Sequence, residues 1–141
     1  MTQTRVQTLT ALSQSGEPVL HRLVNEYDFT VDGGAAGTIN MRGDSFPLGA
    51  VIVNATIHVD TVFTSGGAAT VAINSEGAGD ILAAAAFSGA PFSTTGAKRG
   101  TLTATSAPVK TTADRQPAVT VAAAALTAGK FRLISEYYLL G

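Results

Sequence analysis

The run from Ala50 to Asp60, AVIVNATIHVD, restricts the fold of this chain more than any other stretch. Val51, Val53, Ala55, Ile57 and Val59 are apolar at alternate positions, with Asn54, Thr56, His58 and Asp60 between them. A period of two means a half-buried β-strand with one face on a core. A helix would scatter the same apolar residues around its axis. Such a strand needs sheet partners and a second layer to cover its apolar face.

The same period recurs on both sides. In NEYDFTV, Tyr27, Phe29 and Val31 face one way, and Glu26, Asp28 and Thr30 the other. DGGAAG (Asp32 to Gly37) follows as a Gly-rich turn, where positive φ costs little. TINM then gives a short strand with Ile39 and Met41 inward. After the long strand, TSGGAA and TVAIN predict a hairpin closed by Gly66-Gly67, with Val71 and Ile73 inward. DILAAAAF (Asp80 to Phe87) fits either a short helical stretch or a buried strand, because alanine favours helix but glycines flank a short run. Residues 88 to 113 hold several small strands, GTLTAT among them, between loops with Pro91, Lys98-Arg99 and Pro108. AVTVAAAA is a strand, LTAGK a turn, and FRLISEYYLL a strand placed inside a sheet. On that last strand Phe131, Leu133, Ser135 and Tyr137 share one face.

Seven to nine short strands without a long amphipathic helix predict an all-β sandwich or barrel. A jelly-roll-like antiparallel β-sandwich is the expected architecture, because the strands do not repeat at a fixed period. Residues 1–18, polar and without periodicity, are expected to form an extended N-terminal arm. Residues 19–141 form one β-sandwich domain.

Function classes fall away quickly. The net charge is -1, with nine Lys and Arg against ten Asp and Glu and no basic block. That argues against phosphate-driven nucleic-acid binding and against a polybasic membrane surface. Charged residues make up 13% of the chain, about half the usual ~25%. Thr, Ser, Ala and Gly stand where charge is normally found, as on a Thr-rich β surface or a surface that partners cover. There is no cysteine, hence no disulfide framework and no thiolate metal site. No apolar run reaches the ~20 residues of a membrane helix. The polar N-terminus lacks a secretory signal, so synthesis in a reducing cytosol is expected.

Individual motifs carry little chemistry. His21 and His58 lack partners at a metal-motif spacing, and His58 lies on the polar face of its strand. Gly43-Asp44-Ser45 invites comparison with GDSL hydrolases. Those enzymes need a late Asp-x-x-His, and no histidine follows His58, so Ser45 has no base to activate it. Arg42-Gly43-Asp44 is the tripeptide of adhesion receptors. Gly43, Asp44, Pro47 and Gly49 account for it as a turn between strands. Asn54-Ala55-Thr56 matches the glycosylation sequon inside a strand, where a chance match is the better reading. No catalytic, cofactor or metal residue is assigned, and the chain is read as not an enzyme.

Gly43-Asp44-x-x-Pro47-x-Gly49-Ala50, an alternating strand, then Thr64-Ser65-Gly66-Gly67-Ala68-Ala69-Thr70-Val71, resembles structural proteins of tailed-bacteriophage particles. Asp80-Ile81-Leu82-Ala83-Ala84, Leu126 to Phe131 and Tyr137 extend the resemblance over roughly Asp44 to Tyr138. It is most similar to the small capsid cement (decoration) proteins with a jelly-roll fold. The resemblance implies a virion protein on the outer surface of the capsid, assembled in the host cytoplasm. It would bridge neighbouring copies of the major capsid protein, often as a homodimer or homotrimer, with the N-terminal arm and Gly-rich loops in contact. It implies no cofactor, no nucleic acid and no membrane partner. The alternative is a receptor- or glycan-binding β-sandwich module of a phage tail or fibre. A cupin-type enzyme is a further rival, and it would need a His-rich metal site that two separated histidines do not supply.

Overall fold

The computed structural model describes residues 18–102 and 108–139. Apart from Pro18, the expected N-terminal arm lies outside the described residues, as does the second half of GTLTAT. Gly100 to Leu102, the part of GTLTAT that is described, is not strand.

Two antiparallel sheets pack face to face. The first contains β1 (His21–Asp28), β3 (Arg42–Gly43), β4 (Ala50–Ser65), β7 (Gly96–Arg99), β8 (Val109–Lys110) and β10 (Leu126–Leu139). Its order is β3-β1-β10-β4-β7, and β8 also pairs with β4. The second contains β2 (Gly37–Asn40), β5 (Thr70–Asn74), β6 (Leu82–Ala86) and β9 (Ala118–Ala122), in the order β2-β9-β5-β6. Setting aside the two-residue β3 and β8, the strands pair as nested couples. First pairs with last (β1 with β10), and inside it lie β2 with β9, β4 with β7, and β5 with β6. The all-β sandwich expected from the alternating pattern is therefore what forms.

The core lies between the sheets. Tyr27, Phe63, Phe92 and Phe131 meet there, with ring centroids 4.6 to 6.2 Å apart. Such tilted and edge-on pairs add about 0.5–1.5 kcal/mol each beyond burial alone. Val71, Ile73, Val119 and Val121 cover them from the four-stranded sheet. Burial raises the Tyr27 hydroxyl to about 12, and the nearby Asp32 and Asp28 carboxylates push the same way. Its hydroxyl donates to the Gly33 carbonyl.

Several local expectations are corrected. The strand through NEYDFTV stops at Asp28, whose carboxylate accepts the Thr30 N–H at 2.9 Å and caps a helical turn, α1 (Phe29–Asp32). Aspartate is a strong cap, so Phe29 leaves the strand and Val31 turns outward, 64% exposed. The β4–β5 connection is not a hairpin. It crosses from one sheet to the other, although Val71 and Ile73 do point inward. DILAAAAF resolves to strand, with β6 at the edge of the four-stranded sheet. Among the described residues the strands number ten, and β4 and β10 are long, with 16 and 14 residues.

The alternation in β4 is interrupted. Glu136 pairs with Asn54 and Tyr137 with Ile52, so Val53 is the extra residue of a β-bulge. A bulge reverses which alternate residues face the core. Ile52 therefore joins Ala55, Ile57 and Val59 inside, and Val53 is 42% exposed.

LTAGK is also not a turn. The chain reverses at Ala123 to Ala125, with Ala123 at a φ of 72°, and Leu126 to Lys130 already belongs to β10. Gly129 marks irregular pairing within that strand. Its φ is +145°, and a Cβ there would lie 2.7 Å from the Phe63 ring. Glycine is required both for the backbone and for the ring. Gly129→Ala should cost roughly 1–3 kcal/mol, read as a lower urea midpoint at unchanged slope. An unchanged midpoint would show that the ring is free to move aside.

Candidate functional site

The connection from Asn40 to Ala50 holds the motifs that stood out in the sequence, and the structure shows what fixes it. It leaves β2 in one sheet, passes through β3, and enters β4 in the other. Asn25, buried on β1, donates its amide to the Asp44 carbonyl at 2.8 Å. A Cβ on Gly43 would stand 2.5 Å from the Val24 carbonyl oxygen, so only glycine fits against β1. On the other side, Phe46 and Arg115 exchange both backbone hydrogen bonds. The Thr111 hydroxyl donates to the Pro47 carbonyl at 2.6 Å and accepts the Ala50 N–H at 2.8 Å.

Ser45 is a bonded hydroxyl here. Its Oγ donates to the Gln116 Oε1 at 2.7 Å, an amide oxygen that cannot serve as a general base. The amide nitrogen of Gln116 in turn donates to the Met41 carbonyl. Arg42 is engaged as well. Its guanidinium forks onto Asp32 at 3.1 and 3.3 Å and reaches Glu26 at 3.2 Å. The guanidinium of the adhesion-like tripeptide is therefore spent within the fold, and Gly43 is explained by its contact with β1.

His21 and His58 are far apart in the first sheet. His21 stacks on Tyr137 at 5.3 Å, and His58 approaches Asp60 at 3.5 Å while Arg132 clamps the same carboxylate. Among the described residues, no three His, Cys, Asp or Glu side chains group as metal ligands. Asn54 of the sequon donates to Glu136 at 3.0 Å across the strand pair.

The feature that sequence reading missed is the separation of charge between the sheets. Strands β2, β5, β6 and β9 contain no Lys, Arg, Asp or Glu at all. Val71, Ile73, Val119 and Val121 face the core, so Thr38, Ala72, Asn74 and Thr120 stand on the outside. A shallow depression of about 360 Å³ lies there, lined by Ala72, Asn74, Ala83, Ala84 and Thr120 with the Gly79 turn. Ala72 is only 8% exposed although it faces outward. The six-stranded sheet is the opposite. It carries Glu26, Asp28, Lys130, Arg132 and Asp60, linked by Lys130–Glu26 at 3.4 Å and Arg132–Asp60 at 2.9 Å. The signal was present in the sequence, but only sheet order reveals that four separated uncharged segments lie side by side.

Comparison with known proteins comes from folds. No protein-family profile and no curated protein matches the chain. Solved structures do. A chain of the Cyanophage Pam1 capsid asymmetric unit matches with a TM-score of 0.60 at 19% identity, covering 94% of this chain and 95% of that one. A chain of the acidic stable capsid structure of Helicobacter pylori bacteriophage KHP30 matches at 0.59 and 15%, covering 87% and 90%. A chain of the capsid of Ralstonia phage GP4 matches at 0.56 and 26%, covering 84% of each. This chain shares its fold with chains of three phage capsids.

One further link holds the Asn40–Ala50 connection. The buried Asp80 carboxylate accepts the N–H groups of Ser75, Glu76 and Gly77 at 2.7 to 2.9 Å and so fixes the loop that presents Glu76. Glu76 then receives Arg115 at 2.7 Å and the Thr112 hydroxyl. Arg115 first, then Thr112, lowers the Glu76 carboxyl from 4.5 to about 2. A carboxyl depressed in the folded state stabilises above its unfolded value and loses that effect as pH falls. The Glu76 contribution should therefore be complete above about pH 5 and decline between 4.5 and about 2. Glu76→Gln should be less stable than the parent at pH 7 and equal to it near pH 2, by thermal melts across pH. A constant difference over that range would contradict the assignment.

Proposed function

We propose that this chain is a capsid cement (decoration) protein of a tailed phage. It binds the outer surface of the head as a homo-oligomer, and it bridges neighbouring major capsid subunits without catalysis. The observation that carries this reading is a sandwich shared with chains of three phage capsids over 84 to 94% of its length. The nested strand couples support its assignment as a jelly roll, the double-sheet plan of many capsid domains. The neighbours are capsid chains, which favours the head over a tail or fibre module.

The uncharged four-stranded sheet is the contact surface in this reading. A face free of Lys and Glu meets a partner without stranding a charge. Four strands of four or five residues present roughly 300 Å², from about 3.3 Å per residue and 4.8 Å per strand. A stable pairwise interface uses about 800 Å² per partner. One such contact is weak, and the hold on a shell comes from many copies that bind assembled subunits better than separated ones.

Two measurements test it. Heads that lack the protein should rupture at lower temperature than complete heads, and adding the protein back should restore them. Unchanged rupture, or absence of the protein from purified heads, would remove the proposal. Thr38→Lys and Ala84→Glu, both at exposed positions, place a charge on the uncharged face. Each should melt like the parent, since exposed substitutions usually change stability by less than about 0.5 kcal/mol, yet occupy heads far less completely. Full occupancy by both would assign the contact elsewhere.

A further inference from the structure

Sheet edges offer unpaired backbone groups, and the edges of this sandwich are not alike. The β2 and β6 edges carry no charged residue. At the β3 edge, Arg42 is cancelled by Asp32 and Glu26. The remaining edge is different. β7 pairs with β4 over Thr56 to Val59 and β8 over Val51 to Ile52, on the same side of β4. Together they bring Lys98, Arg99 and Lys110 to a single edge. Arg99 stands opposite Thr56 and Lys110 opposite Val51, which places them roughly 15 Å apart at about 3.3 Å per residue. Both are exposed. None of the three is in an ion pair among the described residues. Lys98 donates to the carbonyls of Thr94 and Thr95, which orders it without cancelling its charge.

We infer that the β7–β8 edge docks an extended acidic segment of a partner protein. The segment would add a strand beside β7, with carboxylates facing Arg99 and Lys110. Main-chain pairing supplies register, and opposite charge supplies selection. Lysines can also simply guard an edge against aggregation. The β2 and β6 edges carry none, so charge is not this fold's general means of guarding edges. A nucleic acid would use the cations but leave the strand edge unpaired. Neither β7 nor β8 offers an aromatic ring for base stacking. The inference is independent of the cement reading, and either can fail alone.

The test is amide NMR of the full chain titrated with a synthetic peptide in which Glu alternates with Thr and Val. Saturable shifts are expected at Gly96 to Arg99 and at Lys110, weakening as salt is raised. The Arg99→Glu, Lys110→Glu double variant should bind at least about tenfold more weakly, equivalent to about 1.4 kcal/mol. Its unperturbed resonances elsewhere would verify the fold, and the Arg99→Gln, Lys110→Gln variant covers the case where they do not. A peptide with Lys in place of Glu should not bind. No shifts at millimolar peptide, shifts confined to other strands, or equal binding of the Lys peptide would overturn the inference. Tighter binding of single-stranded oligothymidine at the same residues would also overturn it, transferring the edge to nucleic acid.

Discussion

Strand β10 lies between β1 and β4, and the six-stranded sheet has no middle until it arrives. His21 pairs with Tyr137 and Ser65 with Leu126, so both neighbours come from distant parts of the chain. Closing such loops costs entropy before any contact is gained, which slows folding more than it weakens the final state. The aromatic core depends on the same event. Tyr27 comes from β1, Phe63 from β4 and Phe131 from β10, so sheet and core are completed together.

Two irregularities allow these long strands to enclose that core. The Val53 bulge changes which residues of β4 face inward, and Gly129 lets β10 pass under the Phe63 ring. Bulges bend a strand and increase its twist. A straight, regular pair of this length would diverge from the smaller sheet at one end, leaving rings such as Phe46, which packs edge-on to Tyr137 at 5.6 Å, without cover.

Much of the fold was legible in the sequence because period two is a direct record of a two-faced strand. Tyr27, Ile57, Val59, Val71, Ile73, Phe131 and Leu133 are buried as their spacing implies. What failed was local punctuation. Asp28 reads as one more outward strand residue until its carboxylate caps a helical turn. Gly66-Gly67 reads as a hairpin, yet a chain that crosses between sheets also needs a reversal. Gly129 reads as a turn because glycine at a bulge and glycine in a loop look alike in one dimension. The candidate site was less legible still. The turn reading of Gly43 missed that this residue belongs to β3 and packs against β1. The uncharged sheet was invisible because β9, distant in sequence, is what brings β2 beside the β5–β6 pair.

That division of charge gives the molecule two surfaces with opposite responses to ions. Contacts made through Lys98, Arg99 and Lys110 are screened over about 8–10 Å at physiological salt and fade in brine. Contacts made through Thr, Ala and Asn on the four-stranded sheet have no charge to screen. Excluded salts such as sulfate strengthen burial of that kind. Raising ionic strength would therefore weaken a contact made at one surface and spare a contact made at the other.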